Sequence, residues 1–332
     1  MLASKVMARR ALVLLGCGRI ARRHAAAARR LGVPLLAASR DAARAGAFAR
    51  EFGASAAFGS YEEATRDPRA AGAIVCTPHD RHLADARLAL DAGLHVLVEK
   101  PIAPTLEQAD GMIAAAWKAG RVLMVAENFH FMPAFRWVHA LVTGGGLGRL
   151  RELHLVARGF RPQSGWRLEP AVAGGGVLID GGIHYVHNLR RWGGEIRRVF
   201  AARPPQTVPL GGEDAVDVLA ELPDGVVGFL ANSLGSRGVS RVQWSTVTGS
   251  DGTCFVDNRG RWALVRGVAG TRGRLFLRDT RGHERMLGAF VDAMAGEGAA
   301  PECDGASGRR DLAVVLAAYR SIAERRPVDV EC

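Results

Sequence analysis

The sequence predicts an α/β protein in two parts: a doubly wound parallel sheet, then an α/β domain built on an open, largely antiparallel sheet. Three observations predict it. Over residues 11–126 short apolar runs alternate with helical stretches that stop at glycine, and a glycine-rich turn joins the first run to the first helix. After the glycine cluster 144–146 the runs alternate apolar with polar and are joined by turn residues. The expected boundary divides 1–126 from 127–332, with the terminal helices able to pack back on the first domain. A chain of 332 residues is long enough for each part to bury its own core.

The elements follow in order. A strand at 11–15 leads into a helix at about 19–31, stopped by Gly32, and a second strand covers 34–39. Ser60 and Glu63 form a capping box ahead of a short helix, 73–76 is a buried strand, and a helix at about 80–92 stops at Gly93. A strand at 94–98 comes next, Thr105 and Gln108 cap a helix that ends near Gly120, and 122–126 closes the sheet. In the second part, Pro223, Asp224 and Gly225 separate two strand-like runs, as do Ser250, Asp251 and Gly252. Apolar spacing predicts a helix leading up to Trp192, and the chain finishes in helices near 284–296 and 309–325.

Composition narrows the function classes. With 48% hydrophobic and 23% charged residues, the chain reads as an ordinary globular protein, and no apolar run is long enough to span a bilayer. The net charge of +11 invites nucleic acid, but the arginines are spread through both halves and are not interleaved with aromatics, so none is expected. The first acidic residue is Asp41, behind Lys5, Arg9, Arg10 and six further arginines. Such a start can mimic a transit peptide, yet the first strand leaves only roughly ten residues ahead of it, too few for one. Cys17, Cys76, Cys254, Cys303 and Cys332 are odd in number and scattered, which indicates a reducing, cytoplasmic setting and no structural zinc.

Gly16, Cys17, Gly18, Arg19, Ile20 and Ala21 follow the first strand and open the first helix, the context of a dinucleotide fingerprint. The first glycine permits the turn, the second lets backbone approach a pyrophosphate, and helix amides hold the phosphates. The second strand ends in Ser39 and Arg40 where an NAD site carries an acid. Arginine can pair with a 2′-phosphate and serine can donate to it, so NADP(H) is expected in preference to NAD(H).

Lysine is rare here: Lys5, Lys100 and Lys118 stand among 44 cationic residues. Lys100 lies between Glu99 and Pro101 at the carboxyl end of a parallel strand, where ligands bind, and a lysine in so arginine-rich a chain marks chemistry that needs a titratable amine. Thr77 and Pro78 end the neighbouring strand and are expected beneath the nicotinamide or its ribose. In the second part Gly174, Gly175 and Gly176 precede Asp180, Gly181, Gly182 and His184. Asp180 and His184, four apart on one helical face, suit a carboxylate that orients an imidazole for proton transfer. His187 adds a metal reading that has no evident further ligand, so no metal is expected.

Taken together these residues resemble the Gfo/Idh/MocA oxidoreductases, a family of inositol, sugar and cyclitol dehydrogenases. The resemblance covers nearly the whole chain. It rests on the glycine fingerprint with His24, Thr77 and Pro78 with His82, Glu99 to Pro101, and Glu127 and Asn128 with Pro133. Trp166, Arg167, the triple glycine with Asp180 and His184, and the closing Tyr319, Arg320, Ser321 through Arg326, Pro327 and Val328 complete it. It implies a Rossmann domain followed by an α/β domain whose open sheet often mediates oligomers, here a homodimer or homotetramer. Lys100, Asp180 and His184 match the family's catalytic positions. Gly16, Gly18, Arg19, Ile20, Ser39, Arg40, Thr77, Pro78, His82, Glu99, Lys100 and Asn128 match the cofactor side. Asn128, Trp166 and Arg167 join the catalytic three on the substrate side, and Ala21 departs mildly from the usual third glycine.

The activity expected is reversible hydride transfer between nicotinamide and a hydroxyl or keto carbon of a sugar, cyclitol or derivative, with an anionic substrate left open by the basic N-terminal half. An NADP-binding protein without turnover, a reductase of imines or enones, and a metal hydrolase built on the histidines are the competing readings.

Overall fold

The computed structural model describes residues 11–240, 242–296 and 301–331; Lys5, Arg9, Arg10 and Cys332 lie outside the described residues. The chain divides into two compact units, one comprising residues up to 127 with 283–309, the other 128–282 with 310 onward.

In the first unit, β1 (Ala11–Leu15), β2 (Leu35–Ala38), β3 (Ala56–Phe58), β4 (Ala70–Val75), β5 (His95–Val98) and β6 (Leu123–Val125) form a parallel sheet in the order β3-β2-β1-β4-β5-β6. β1 is buried at all five positions. Helices cover both faces of such a sheet, which is why its central strands are apolar throughout instead of alternating. The helices are α1 (Ala21–Leu31), α2 (Ala42–Phe52), α3 (Tyr61–Thr65), α4 (His82–Asp91) and α5 (Leu106–Ala119). Their ends follow the expected chemistry. Ser60 Oγ accepts from the Glu63 amide, Thr105 Oγ1 accepts from the Gln108 amide, and Gly32 and Gly120 close α1 and α5. The chain winds away from β1 in both directions, so the topological switch lies between β1 and β4 and opens a crevice at their carboxyl ends.

The second unit opens with α6 (Asn128–Phe131) and α7 (Pro133–Thr143), which the period-two pattern leaves unassigned. β7 (Leu150–Arg158), α8 (Pro170–Ala173) and α9 (Ile183–Gly193) follow. Then come β8 (Arg198–Ala202), β9 (Ala215–Glu221), β10 (Val227–Ser233), β11 (Trp244–Gly249), β12 (Gly252–Asp257), β13 (Trp262–Gly267) and β14 (Gly270–Leu275). With β15 (Val328–Asp329) they make a nine-stranded sheet in the order β14-β13-β12-β11-β7-β10-β9-β8-β15. β7 and β10 run parallel; the other pairs are antiparallel.

Register separates its two faces. Val199, Ala220, Gly228, Leu153, Val247, Cys254 and Val265 fall in one cross-strand row and are all buried, and α9 and α7 pack on that side. The adjacent row, Phe200, Leu219, Phe229, His154, Thr246, Phe255 and Leu264, faces the other way. Phe200 and Leu219 there are 41% and 46% exposed, so this face carries apolar side chains that the unit itself does not cover.

The chain then returns to the first unit. α10 (His283–Met294) packs along α1, and Asp304 bridges Met124 beside β6. Of the final helix α11 (Gly305–Glu324), residues 310–324 belong to the second unit.

Candidate active site

The glycine turn after β1 is shaped for close approach. Gly16 has φ 102°, and a Cβ there would lie 3.0 Å from the Cys76 carbonyl oxygen at the end of β4. A Cβ on Gly18 would meet nothing within 4 Å, so the second glycine leaves open space in front of α1. That helix has no side-chain cap and no acid in its first turn, and its leading amides can serve an anion. Arg19 is exposed and Ile20 half-buried at its start. Cys17 sits within the turn as a neutral thiol, pushed up to about 11 by burial.

At the end of β4, Thr77 Oγ1 is buried with no hydrogen-bond partner among the described residues, which is costly for a hydroxyl unless a ligand supplies the partner. Pro78 beside it is half-buried. The glycine cradle, the open helix start and the orphaned hydroxyl fit a nicotinamide dinucleotide. At the end of β2, Ser39 is buried and its Oγ accepts from the Asp41 amide at 3.2 Å, while Arg40 is exposed. The acid next in line is engaged: Asp41 caps α2 by accepting from the Arg44 amide at 3.1 Å.

Lys100 ends β5 half-buried, and its peptide bond to Pro101 is cis. Beneath it Glu99 is buried. His24 of α1 donates from Nε2 to Glu99 Oε1 at 2.7 Å, and the Lys100 amide donates to Oε2 at 3.3 Å. Burial alone would raise the Glu99 pKa. The His24 hydrogen bond and the nearby charges of His24, Lys100 and His283 overcome that and hold the carboxyl at about 2. His82 stands with both ring nitrogens on main-chain carbonyls, Nδ1 at 2.8 Å from that of Pro101 and Nε2 at 3.0 Å from that of Thr77. It thereby ties the ends of β4 and β5 together, and its burial lowers its pKa below the usual histidine value.

In the second unit the helix expected up to Trp192 is α-helical only in α9; Leu178–Gly182 before it is a wider π turn. Two glycines at 181 and 182 lower the helix propensity, and the leading amides are taken by side chains from far along the chain. Glu213 Oε1 accepts from the Leu178 amide at 2.8 Å, and the Tyr319 hydroxyl accepts from the amides of Gly176 and Ile179 at 3.1 and 3.3 Å while donating to Glu213. Burial raises the pKa of both Glu213 and Tyr319. Gly176 makes this possible, since a Cβ there would lie 2.0 Å from the Glu213 carbonyl oxygen.

Asp180 and His184 are both half-buried. Arg167 donates from Nε to Asp180 Oδ2 at 2.7 Å, and its guanidinium lies 4.3 Å from the centre of the Trp166 ring. The predicted substrate-side residues Trp166, Arg167 and Asp180 are thus one connected group. His184 stacks flat on Phe129, with centroids 4.4 Å apart and planes 8° from parallel. Asn128, next to Phe129, donates from Nδ2 to the Arg281 carbonyl at 2.8 Å. Phe129, Glu213 and Arg281 were not singled out from the sequence, because no local spacing announces them. His187 bonds His130 through Nε2 and Asp311 through Nδ1, both at 2.9 Å, and Asp311 continues to Arg190. Both of its ring nitrogens are occupied by that buried chain.

A family profile described as an oxidoreductase family with an NAD-binding Rossmann fold matches residues 10–127, and the GFO/IDH/MocA C-terminal domain matches residues 135–255. The 1,5-anhydro-D-fructose reductase of Ensifer adhaerens is 30% identical over 322 residues, 88% of this chain and 90% of that one. The trans-1,2-dihydrobenzene-1,2-diol dehydrogenase of Mus musculus is 34% identical over 210 residues, 60% of each chain. Among solved structures, a levoglucosan dehydrogenase in complex with NADH superposes with a TM-score of 0.88 at 22% identity, covering 97% of this chain and 99% of that one, a likeness of fold.

Proposed function

The chain belongs to the Gfo/Idh/MocA family of oxidoreductases with an NAD-binding Rossmann domain, and from that membership we propose that it transfers hydride reversibly between NADP(H) and a hydroxyl or keto carbon of a sugar, cyclitol or derivative. One observation carries the reading. The glycine turn after β1, the orphaned Thr77 hydroxyl after β4 and Lys100 after β5 stand at the carboxyl ends of three adjacent strands. Two strand spacings put Lys100 about 10 Å from the glycine turn, a span that a nicotinamide riboside can bridge. Sugar and diol enzymes among the relatives supply the substrate class.

When bound, the nicotinamide gives or takes the hydride. The rest falls to the chain. His184 accepts the hydroxyl proton as an alcohol is oxidised and returns it when a ketone is reduced. Asp180, itself held by Arg167, orients that imidazole. Lys100 supplies a compact positive charge to the oxygen as negative charge develops on it. Asn128, Trp166 and Arg167 line the substrate side.

Preference for NADP(H) is supported by exposed Arg40 and by Ser39 at the end of β2, where an NAD site carries an acid. The uncovered apolar row of the nine-stranded sheet supports assembly with a second copy, as a homodimer or homotetramer. Free Cys17, Cys76, Cys254 and Cys303 support a reducing, cytoplasmic setting.

The test is a turnover screen. NADPH and NADH oxidation are followed with 1,5-anhydro-D-fructose, inososes, ketoses and nucleotide sugars, and NADP reduction with levoglucosan and trans-dihydrodiols. At least one carbonyl compound should consume NADPH faster than NADH; silence across all of them with folded, cofactor-binding protein sinks the reading.

A further inference from the structure

α6 is short, but it is pinned at both ends of its Phe129. On one side Asn128 Nδ2 donates to the Arg281 carbonyl at 2.8 Å. On the other, His130 Nδ1 lies 2.9 Å from His187 Nε2, and Arg191 donates to the His130 carbonyl at 2.6 Å. The Phe129 ring itself is buried and walled edge-on by Phe135 and Tyr185, both with centroids 5.4 Å away. One face of this immobilised ring is presented to His184, parallel to within 8°. An imidazole exchanges protons along its in-plane nitrogen directions, so whatever fixes the ring plane fixes the angle at which a proton leaves or arrives.

We propose that Phe129 is a positioning residue for proton transfer: its ring sets the plane of the His184 imidazole. The inference rests on the reading of His184 as the proton carrier. Turning the imidazole about its Cβ–Cγ bond by anything short of a half-turn would break the parallel stack, so the stack fixes the ring plane, and Asp180 orients the ring within it. His82 and His187 are fixed by a different means, each with both ring nitrogens on buried protein partners.

The experiment combines kinetics with a signature of the stack, using the full chain and the best substrate of the turnover screen. Phe129→Leu should lower kcat about 10- to 100-fold, the scale of a misaligned reacting group, and leave KM within about twofold. Phe129→Tyr, which keeps the flat face, should restore kcat to within about threefold. In protein labelled with 13C-histidine, the His184 ring protons should sit upfield, move downfield in F129L and stay upfield in F129Y. If F129L does not fold, F129M replaces it. Wild-type kcat in F129L, a loss confined to KM, or His184 signals that do not move overturns the inference. His184→Ala separates the two levels. Wild-type turnover in H184A removes the proton reading itself, whereas collapse of H184A beside an active F129L removes only the positioning role.

Discussion

The first unit sets its candidate residues in short stretches of chain, and the second holds its candidates with residues that are distant in sequence. Around β1, β4 and β5 the glycine turn, Thr77 and Lys100 sit at a strand end or in the turn just beyond it. The π turn at Leu178–Gly182, by contrast, is shaped by Glu213, 35 residues away, and by Tyr319, 143 residues from Gly176. A parallel sheet with glycine turns offers a ready-made edge on which ligands meet main chain. The π turn that carries Asp180 has no such template and is held by side chains brought in by the fold. The difference teaches that damage should take different forms in the two units: lost binding or charge in the first, lost alignment in the second.

The largest expected effects test whether both units do chemistry. Lys100→Ala and His184→Ala should each lower turnover about 10²- to 10⁴-fold, with NADPH binding, followed by fluorescence titration, within a few-fold of wild type. Wild-type rates in either variant would break the symmetry of the comparison. Next is the buried pair beneath Lys100. Glu99→Gln should cost about 3 kcal/mol in chemical denaturation, because His24 loses its carboxylate partner in a buried site. The pH dependence has a definite sign. The folded carboxyl titrates at about 2 against an ordinary 4.5, so its contribution is complete above about pH 4.5 and is lost as pH falls toward 2. E99Q should flatten stability over that window; an unchanged acid limb would refute the pair's role.

Arg40→Ala should raise the NADPH Kd about 10- to 100-fold and the NADH Kd hardly at all, the loss expected for one charge-assisted contact to a phosphate. Equal losses would remove the NADP preference. Tyr319→Phe is the smallest, about 1–2 kcal/mol, since the amides of Gly176 and Ile179 lose an acceptor. It sharpens the comparison if kcat falls while NADPH binding does not, which places the damage in alignment and leaves the first unit intact.

What could be read from the sequence follows the same division. The cradle of Gly16 and Gly18, the capping residues Ser60 and Thr105 and the strand end at Lys100 depend on neighbours within a few positions, and propensity and period expose such features. The open, mostly antiparallel second sheet is legible as well, because alternation survives in strands such as β8 and β9. The π turn has the sequence of an ordinary helix: apolar spacing continues through residues 178–192, and nothing local says that Glu213 and Tyr319 claim the leading amides. Arg167 and Asp180 each stand out in the sequence, but their pairing across 13 residues does not. Phe129 lies in a buried run, Phe129 to Met132, whose aromatic and apolar residues look like core, and its stack on His184 is visible only in three dimensions.

The return of residues 283–309 to the first unit bears on how the protein can be made and taken apart. α10 lies along α1, and the main-chain amide of Val125 donates to the Cys303 carbonyl, so the nucleotide-binding unit borrows material encoded after nearly all of its neighbour. No single scission of the polypeptide releases either unit whole. During translation, residues up to 127 leave the ribosome long before the helix that completes their packing, and the nascent sheet waits with the flank of α1 uncovered until residues 128–282 have been synthesised. A gene truncated at residue 282 would therefore compromise the half of the protein that lies furthest from the truncation in sequence.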